Sequence, residues 1–433
     1  MLSKIVKSLL VLVALLAGAV LVLALIVVEN EPAVQAQGAP TPEDVVTARG
    51  VVGDVKAAAS TDSDMLQPLI VNQADLSSVV RLGVRLIPGF RGAVVVEPWG
   101  VEMRASIPVP VPGASRWVNL AVSVPQFENR VTLGRVALGP VSIPPGLALN
   151  LGRIGANLIL GNGLGDTAVE AASGMRIAGD TVTVDLQIDE VGENGILGGI
   201  FGTLRGDKMP APDLVDAYHV RIREAMDRGD LPDRGSYLPY LAFTLEAARE
   251  GAPTEGRSDA FTAAIFALSR ICGAHDIPLL FGGLAPGEID ATRAWKTNCT
   301  RLTLNDRIDS RRHFTTAAAI QAASNRNVSI SIGEFKELYD TQRDGFDFAD
   351  MAANNSGIRL ADLFMATPVE EWSRLIARIE AEEDVIISYE GIPQILSRAE
   401  FTAEFGEVDS DRYDEMLDRI ERRIDALALH APL

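Results

Sequence analysis

The hydrophobic pattern changes its period along this chain, and each change marks a structural border. Residues 9–28, LLVLVALLAGAVLVLALIVV, form an unbroken apolar run without a charge, the length a helix needs to cross the hydrocarbon core of a bilayer. Residues 29–40 then mix Pro, Gly, Gln and Ala without periodicity and read as a linker. Thr41-Pro42-Glu43-Asp44 is a helix start, with Thr41 as N-cap, proline at the first position and an acidic first turn. That helix is expected to reach about Ala59, and a second, around Ala74–Leu82, has Asn72 or Asp75 as its cap. From Phe90 to about Gly139 the period becomes two. RGAVVVEPWGVEMRASIPVPVP, RWVNLAVSVPQF and RVTLGRVALGPVSIP are β-branched runs punctuated by Gly and Pro, the signal for antiparallel strands. Residues 144–161 read as helix, and residues 173–189 as a hairpin turning at Gly179-Asp180.

Beyond Pro212 the helical period holds almost to the end, over about 212–228, 236–250, 258–273, 309–324, 330–343, 348–365, 368–383 and 410–427. Thr367-Pro368-Val369-Glu370 reads as a capping box, and Tyr413, Met416, Leu417, Ile420, Ile424 and Leu427 form one apolar stripe on the last helix. The fold class is therefore α+β. A transmembrane helix (1–28) and linker (29–40) precede an α+β domain with an antiparallel sheet (41–192). A Gly-rich linker (193–211) leads to an all-helical domain (212–433).

Lys4 and Lys7 precede the apolar run, while Glu29 and Glu31 follow it. The positive-inside rule then keeps the N-terminus cytoplasmic and exports the rest as a single-pass protein. The other reading of this run is a signal peptide cleaved after Val34-Gln35-Ala36. Either way the bulk of the chain is extracytoplasmic, at the periplasmic face of the cytoplasmic membrane. The net charge of −19 and pI near 4.7 argue against a nucleic-acid partner, which rewards clustered Lys and Arg. Cys272 and Cys299, the only two cysteines, are expected to pair in an oxidising compartment, worth about 3 kcal/mol.

Candidate chemistry concentrates between Asp309 and Gly357. Asp309 and His313 stand four apart, as do Lys336 and Asp340, and Asp350 and Asn354; Glu337 and Asp340 stand three apart. Each pair shares a helix face, which predicts a polar cluster among three short-linked helices. Three readings compete. His313 and Glu337 act as general base and acid, with Asp309 or Asp350 orienting the imidazole. Alternatively the carboxylates and His313 hold a divalent metal. In the third, Lys336 and Arg311 or Arg312 neutralise the acids, and Gly357 permits close helix approach. A lysine beside Glu337 and a single histidine disfavour a tight metal centre, so no metal or other cofactor is assigned. Elsewhere the phosphate-loop ending is missing from 193–212, LGNGLGDTA (160–168) lacks the βαβ setting of a dinucleotide site, and EVDSDRYDE (407–415) lacks the glycine of a calcium loop.

The order Asp-x3-His-Phe, Lys-Glu-x2-Asp, Asp-x3-Asn-x2-Gly, carried by Asp309, His313, Phe314, Lys336, Glu337, Asp340, Asp350, Asn354 and Gly357, resembles the signature shared by VanZ-like and YfiM-like bacterial envelope proteins. KELYD (336–340) is closer to the YfiM version. The likeness covers about fifty of the 433 residues, and this segment is too polar to cross a bilayer as VanZ proteins do. The resemblance implies an envelope module and no particular reaction. The expected role is binding or scaffolding towards a lipid or cell-wall component. The competing expectation is an enzyme using His313, Glu337 and Asp350 on an envelope lipid or glycan.

Overall fold

Strand-period and helix-period sequence are segregated along this chain, so its sheets and its helix bundle form from separate stretches. The computed structural model of the protein describes residues 26–59, 67–111, 114–127, 130–150, 153, 174–186, 210–273 and 299–432. It is mixed α+β: an antiparallel β-meander in the N-terminal half, then a mostly helical C-terminal region. Two compact units are present, one of residues 1–40 and 47–192 and one of residues 41–46 and 193–433. Residues 1–25 of the expected anchor and 193–209 of the Gly-rich linker lie outside the described residues. No described helix is long and apolar enough to cross a membrane.

In the first unit β1 (Val28–Glu29), β3 (Arg91–Glu97), β4 (Gly100–Val111), β5 (Ala114–Phe127), β6 (Arg130–Val131), β7 (Val136–Leu138) and β8 (Val141–Ile143) form one sheet in the order β3-β4-β5-β7-β8, with β1 and β6 also on β5. The register places Val94 opposite Met103 and Val101 opposite Val124. Alternation decides which face is covered: Val94 and Val96 are buried, while Val95 between them is exposed. The expected hairpin is β9 (Arg176–Ala178) and β10 (Thr181–Leu186), turning through Gly179 at φ +65°. Its other neighbour, β2 (Gln67–Asn72), has no counterpart among the elements predicted from sequence. QPLIVN is short and carries a proline, and pairing with β10 is what makes it a strand.

The N-terminal helix α1 (Pro42–Ala59) begins with Thr41 and Asp44 exchanging side chain-to-backbone bonds of 3.2 and 2.9 Å. Asn72 caps α2 (Gln73–Leu86), accepting from the N–H groups of Ala74 and Asp75, while Asp75 returns the bond to Asn72 N–H at 2.8 Å. The helix runs a turn beyond the expected Leu82. Val71, Val94, Val101, Val124, Ile177 and Val182 form the core shared by the two sheets, and Leu76 and Val80 of α2 pack on it. Of the helix expected over 144–161, residues 145–150 are helical, and most of the remainder is outside the described residues.

The second unit contains α3 (Pro212–Asp227), α4 (Leu238–Glu255), α5 (Arg257–Cys272), α6 (Ile308–Ala323), α7 (Arg326–Asp340), α8 (Phe348–Ala366), α9 (Trp372–Ile376), α10 (Arg398–Phe405) and α11 (Asp411–Asp425). Two differences from the elements predicted from sequence have local causes. Thr367 closes α8 rather than opening a helix, its N–H bonding to Leu363 O. Pro368 leads only into a 3₁₀ turn and the five-residue α9, because Trp372 drops its indole N–H onto Thr367 O at 3.0 Å and is fully buried. The second difference is α10, capped by Ser397 and Glu400. Phe401 and Phe405 project from it onto Phe346, Phe348 and Tyr413. Within the stripe on α11, Tyr413, Met416, Ile420 and Ile424 are buried. Leu302–Thr303, from the segment between Cys299 and α6, pairs in parallel with Gly235–Ser236.

Cys272, the last residue of α5, is joined to Cys299 by a disulfide with Cα atoms 5.2 Å apart, inside the span such bridges need. Replacing both by alanine is expected to lower unfolding stability by roughly 2–4 kcal/mol. Peptide mapping without reductant is expected to recover the two cysteine peptides linked. Two free thiols in the purified protein would remove the bridge from the account.

Candidate functional site

Three helices meet at the segment the sequence singles out, and small residues let them meet closely. Ala317, Ala318, Ala319, Ala322 and Ala323 of α6 are buried, as are Ala349, Ala352, Ala353 and Ala361 of α8. At the crossing stands Gly357, where an added Cβ would lie 2.1 Å from Phe314 O. On α7, Gly333 makes similar room, since a Cβ there would lie 2.6 Å from Asn354 Nδ2. Connections are short: Ser324 and Asn325 join α6 to α7, with Asn325 capping α7 by accepting from Asn327 and Val328 N–H. Asp347 caps α8, accepting from Ala349 N–H at 2.8 Å.

This packing brings His313, Glu337, Asp350 and Asn354 together. His313 Nε2 lies 3.0 Å from Asp350 Oδ2 and 3.9 Å from Glu337 Oε1, and the three side chains are only 4%, 6% and 1% exposed. The 3.0 Å approach is a contact of charges without hydrogen-bond alignment, leaving Nε2 buried and without a hydrogen-bond partner. On the other side of the ring Nδ1 lies 3.0 Å from Asn354 Oδ1. A carbonyl oxygen only accepts, so Nδ1 carries a proton and donates it. Glu337 Oε2 accepts from Asp347 N–H at 3.2 Å, and Asp350 Oδ1 accepts from Arg307 at 3.3 Å.

Cations flank the carboxylates. Lys336 Nζ lies 2.8 Å from Asp340, 3.2 Å from Glu337 and 3.9 Å from Asp350, with its side chain 42% exposed on the solvent side. Arg307 reaches Asp347 at 2.8 Å as well as Asp350. Burial lifts the Glu337 carboxyl to about 7, against the pull of His313 and Lys336. Burial also works to raise Asp350, but the positive charges of His313, Lys336 and Arg307 prevail and hold it below the usual carboxylate range. For His313 burial favours the neutral ring, and the Asp350 charge overrides it and raises the pKa. Asp347 is raised, by burial first and then by the Asp350 charge. Across the cluster Glu337, Asp340, Asp347 and Asp350 thus face Arg307, Lys336 and the His313 ring.

Two sequence expectations are corrected here. Asp309 does not join the cluster. It sits half-exposed in the first turn of α6 and faces Arg312 at 3.8 Å. Nor do Arg311 and Arg312 pair with the clustered acids: Arg312 faces Asp309 instead, and Arg311 is buried beside Tyr237, where burial brings its pKa down to about 10. Arg307, the N-cap of α6, takes that role from outside the helix, where i,i+4 spacing gives no clue. Spacing also misses Asp347 and Glu334. The first is legible as a cap before the apolar start of α8. The second, fully buried and accepting from Tyr413 OH at 3.0 Å, depends on a partner 79 residues away that no local pattern shows.

An imidazole nitrogen set between two carboxylates suits proton transfer or a cation, provided something reaches it. A groove of about 350 Å³ lies elsewhere, lined by Gly391, Pro393, Phe405, Arg412 and Arg419 among others, and none of the cluster residues lines it. Comparison with family models, curated proteins and solved structures finds no match to this chain.

Proposed function

We propose that this chain is an exported envelope protein, anchored by its N-terminal apolar segment, with a binding or scaffolding role towards a lipid or cell-wall component. The observation that carries this reading is the closure of the cluster. His313, Glu337 and Asp350 are each more than nine-tenths buried, and the two carboxylates are met by Arg307 and, from the solvent side, by Lys336. An enzyme needs its acid and base exposed to a substrate, whereas a sealed and compensated network fixes one helix arrangement. The VanZ-like and YfiM-like order of residues adds the envelope setting to the proposal, and the uncharged run at 9–28 behind Lys4 and Lys7 adds the topology.

Alkaline phosphatase fused after Leu433 is expected to be active in cells, because that enzyme matures only outside the cytoplasm. A stable but silent fusion would reverse the topology. For the role itself, variants that leave the helical region folded but neutralise His313 or Glu337 are expected to keep the cellular function of the chain. Loss of function at unchanged stability would favour the enzyme.

A further inference from the structure

The second atoms of the three central side chains are all tied down, and their first atoms converge. His313 gives Nδ1–H to Asn354 Oδ1, Glu337 Oε2 accepts from Asp347 N–H, and Asp350 Oδ1 accepts from Arg307. The atoms that face one another are Nε2, Oε1 and Oδ2, with Oε1 also accepting from Lys336 Nζ at 3.2 Å, and one donor atom from each side chain lies within 4.8 Å of the others in the buried space between the helices. Nε2 has no hydrogen-bond partner although it is buried. Orienting contacts on the far atom of every ligand are the usual outer shell of a metal site, where they fix the histidine tautomer and aim the coordinating atoms.

We propose that His313 Nε2, Glu337 Oε1 and Asp350 Oδ2 bind one divalent transition-metal cation of the zinc type, oriented by Asn354, Asp347 and Arg307. A tetrahedral ion bound at about 2.0–2.2 Å holds its ligand atoms about 3.4 Å apart. The observed 3.0 and 3.9 Å separations from Nε2 bracket that value, and rotating the Glu337 carboxylate closes the rest. Two carboxylates and one neutral imidazole match a charge of +2. Lys336 is the objection to this site in the sequence, and its placement answers it. The ammonium stands at 3.2 Å from Glu337 and 3.9 Å from Asp350, on the exposed side and already bonded to Asp340 at 2.8 Å. Swinging outward onto Asp340 clears the site while keeping its strongest contact. Lys336 is thus a built-in competitor that occupies the cation position until a metal displaces it. The site stands whatever the envelope partner is, and it makes the metal a clasp on α6, α7 and α8.

The test uses the untagged full-length chain, stripped with chelator and titrated with Zn²⁺ by calorimetry and with Co²⁺ by visible absorption. One ion per chain is expected, with Co²⁺ developing the intense band of a low-coordinate site. Lys336→Met removes the competitor without touching a ligand and is expected to tighten Zn²⁺ binding at least about tenfold. Asn354→Ala is expected to weaken it about 10–100-fold by freeing the imidazole, and Glu337→Gln to abolish the Co²⁺ band while circular dichroism stays that of the wild type. No ion bound by either the folded wild type or Lys336→Met would overturn the site. So would a Co²⁺ spectrum unchanged by Glu337→Gln and His313→Gln, which would put the ion elsewhere.

Discussion

Gly357→Ala is expected to destabilise the helical region by about 3 kcal/mol or more, or to prevent the protein from accumulating. The sign makes the prediction sharp. On an isolated helix alanine is better than glycine by about 1 kcal/mol, so a Gly357 chosen for no packing reason would yield a stabilised variant. Here the added Cβ would lie 2.1 Å from Phe314 O, 2.9 Å from Phe314 C and 3.2 Å from Ala318 N. Every one of those atoms is backbone of α6, so no rotamer change relieves the contact. The two helices have to separate, and the buried alanines on both faces lose their partners together. Gly333→Ala is the calibrating variant. Its nearest neighbour is the Asn354 side-chain amide at 2.6 Å, which can rotate away, so a smaller loss of about 1–2 kcal/mol is expected. Urea unfolding of the two variants beside the wild type measures both, and equal effects would mean that the crossing at Gly357 is looser than described.

Conformations that depend on immediate neighbours are legible in the amino-acid sequence alone. Thr41 with Asp44, and Asn72 with Asp75, are local capping pairs, and both are formed. The β-branched run from Arg91 into Phe127 alternates because one face is covered, and it forms the expected meander. The hairpin at Gly179 needs only a residue that tolerates positive φ. Local pattern falls short where a distant partner decides. Residues 67–72 become a strand because β10 runs beside them, and Glu334 is buried against the hydroxyl of Tyr413, 79 residues onward. The cluster splits along the same line. Helical spacing places Asp350 and Asn354 on one face, and His313 and Glu337 on faces that converge with it in the fold. Spacing also groups Asp309 with His313, since four residues share a face. Asp309 nonetheless ends in water, because it lies in the first turn of α6 while the crossing with α8 falls farther along, at Phe314 and Ala318. Beside Lys336, the charge that faces the acids comes from Arg307, a cap whose side chain reaches 40 residues onward to Asp347.

That contrast between two carboxylates sets the last prediction. In sequence Asp309 and Asp350 are equivalent candidates, each four residues from a polar partner. In the folded chain Asp350 touches His313 at 3.0 Å and Arg307 at 3.3 Å with 6% of its side chain exposed, while Asp309 is 50% exposed and 3.8 Å from Arg312. Removing Asp350 takes the carboxylate away from the buried His313 ring and leaves Arg307 with the Asp347 carboxylate and the Gln394 amide. Breaking a buried pair costs about 3–5 kcal/mol, since the surviving charge is left without a partner. Asp350→Ala in chelator-treated protein is therefore expected to lose about that much stability at neutral pH. Asp350→Asn keeps the shape and a polar atom towards His313 and is expected to lose less. Asp309→Ala removes one exposed pair, worth between about 0 and 1 kcal/mol, and its unfolding curve is expected to overlie the wild type. Lowering the pH discriminates further. The Asp350 pKa is depressed in the folded chain, so its contribution is present above the ordinary carboxylate range and disappears as the pH falls through the folded value. The gap between wild type and Asp350→Ala should accordingly narrow in acid, whereas a loss caused by a mere cavity would persist at every pH where the protein stays folded.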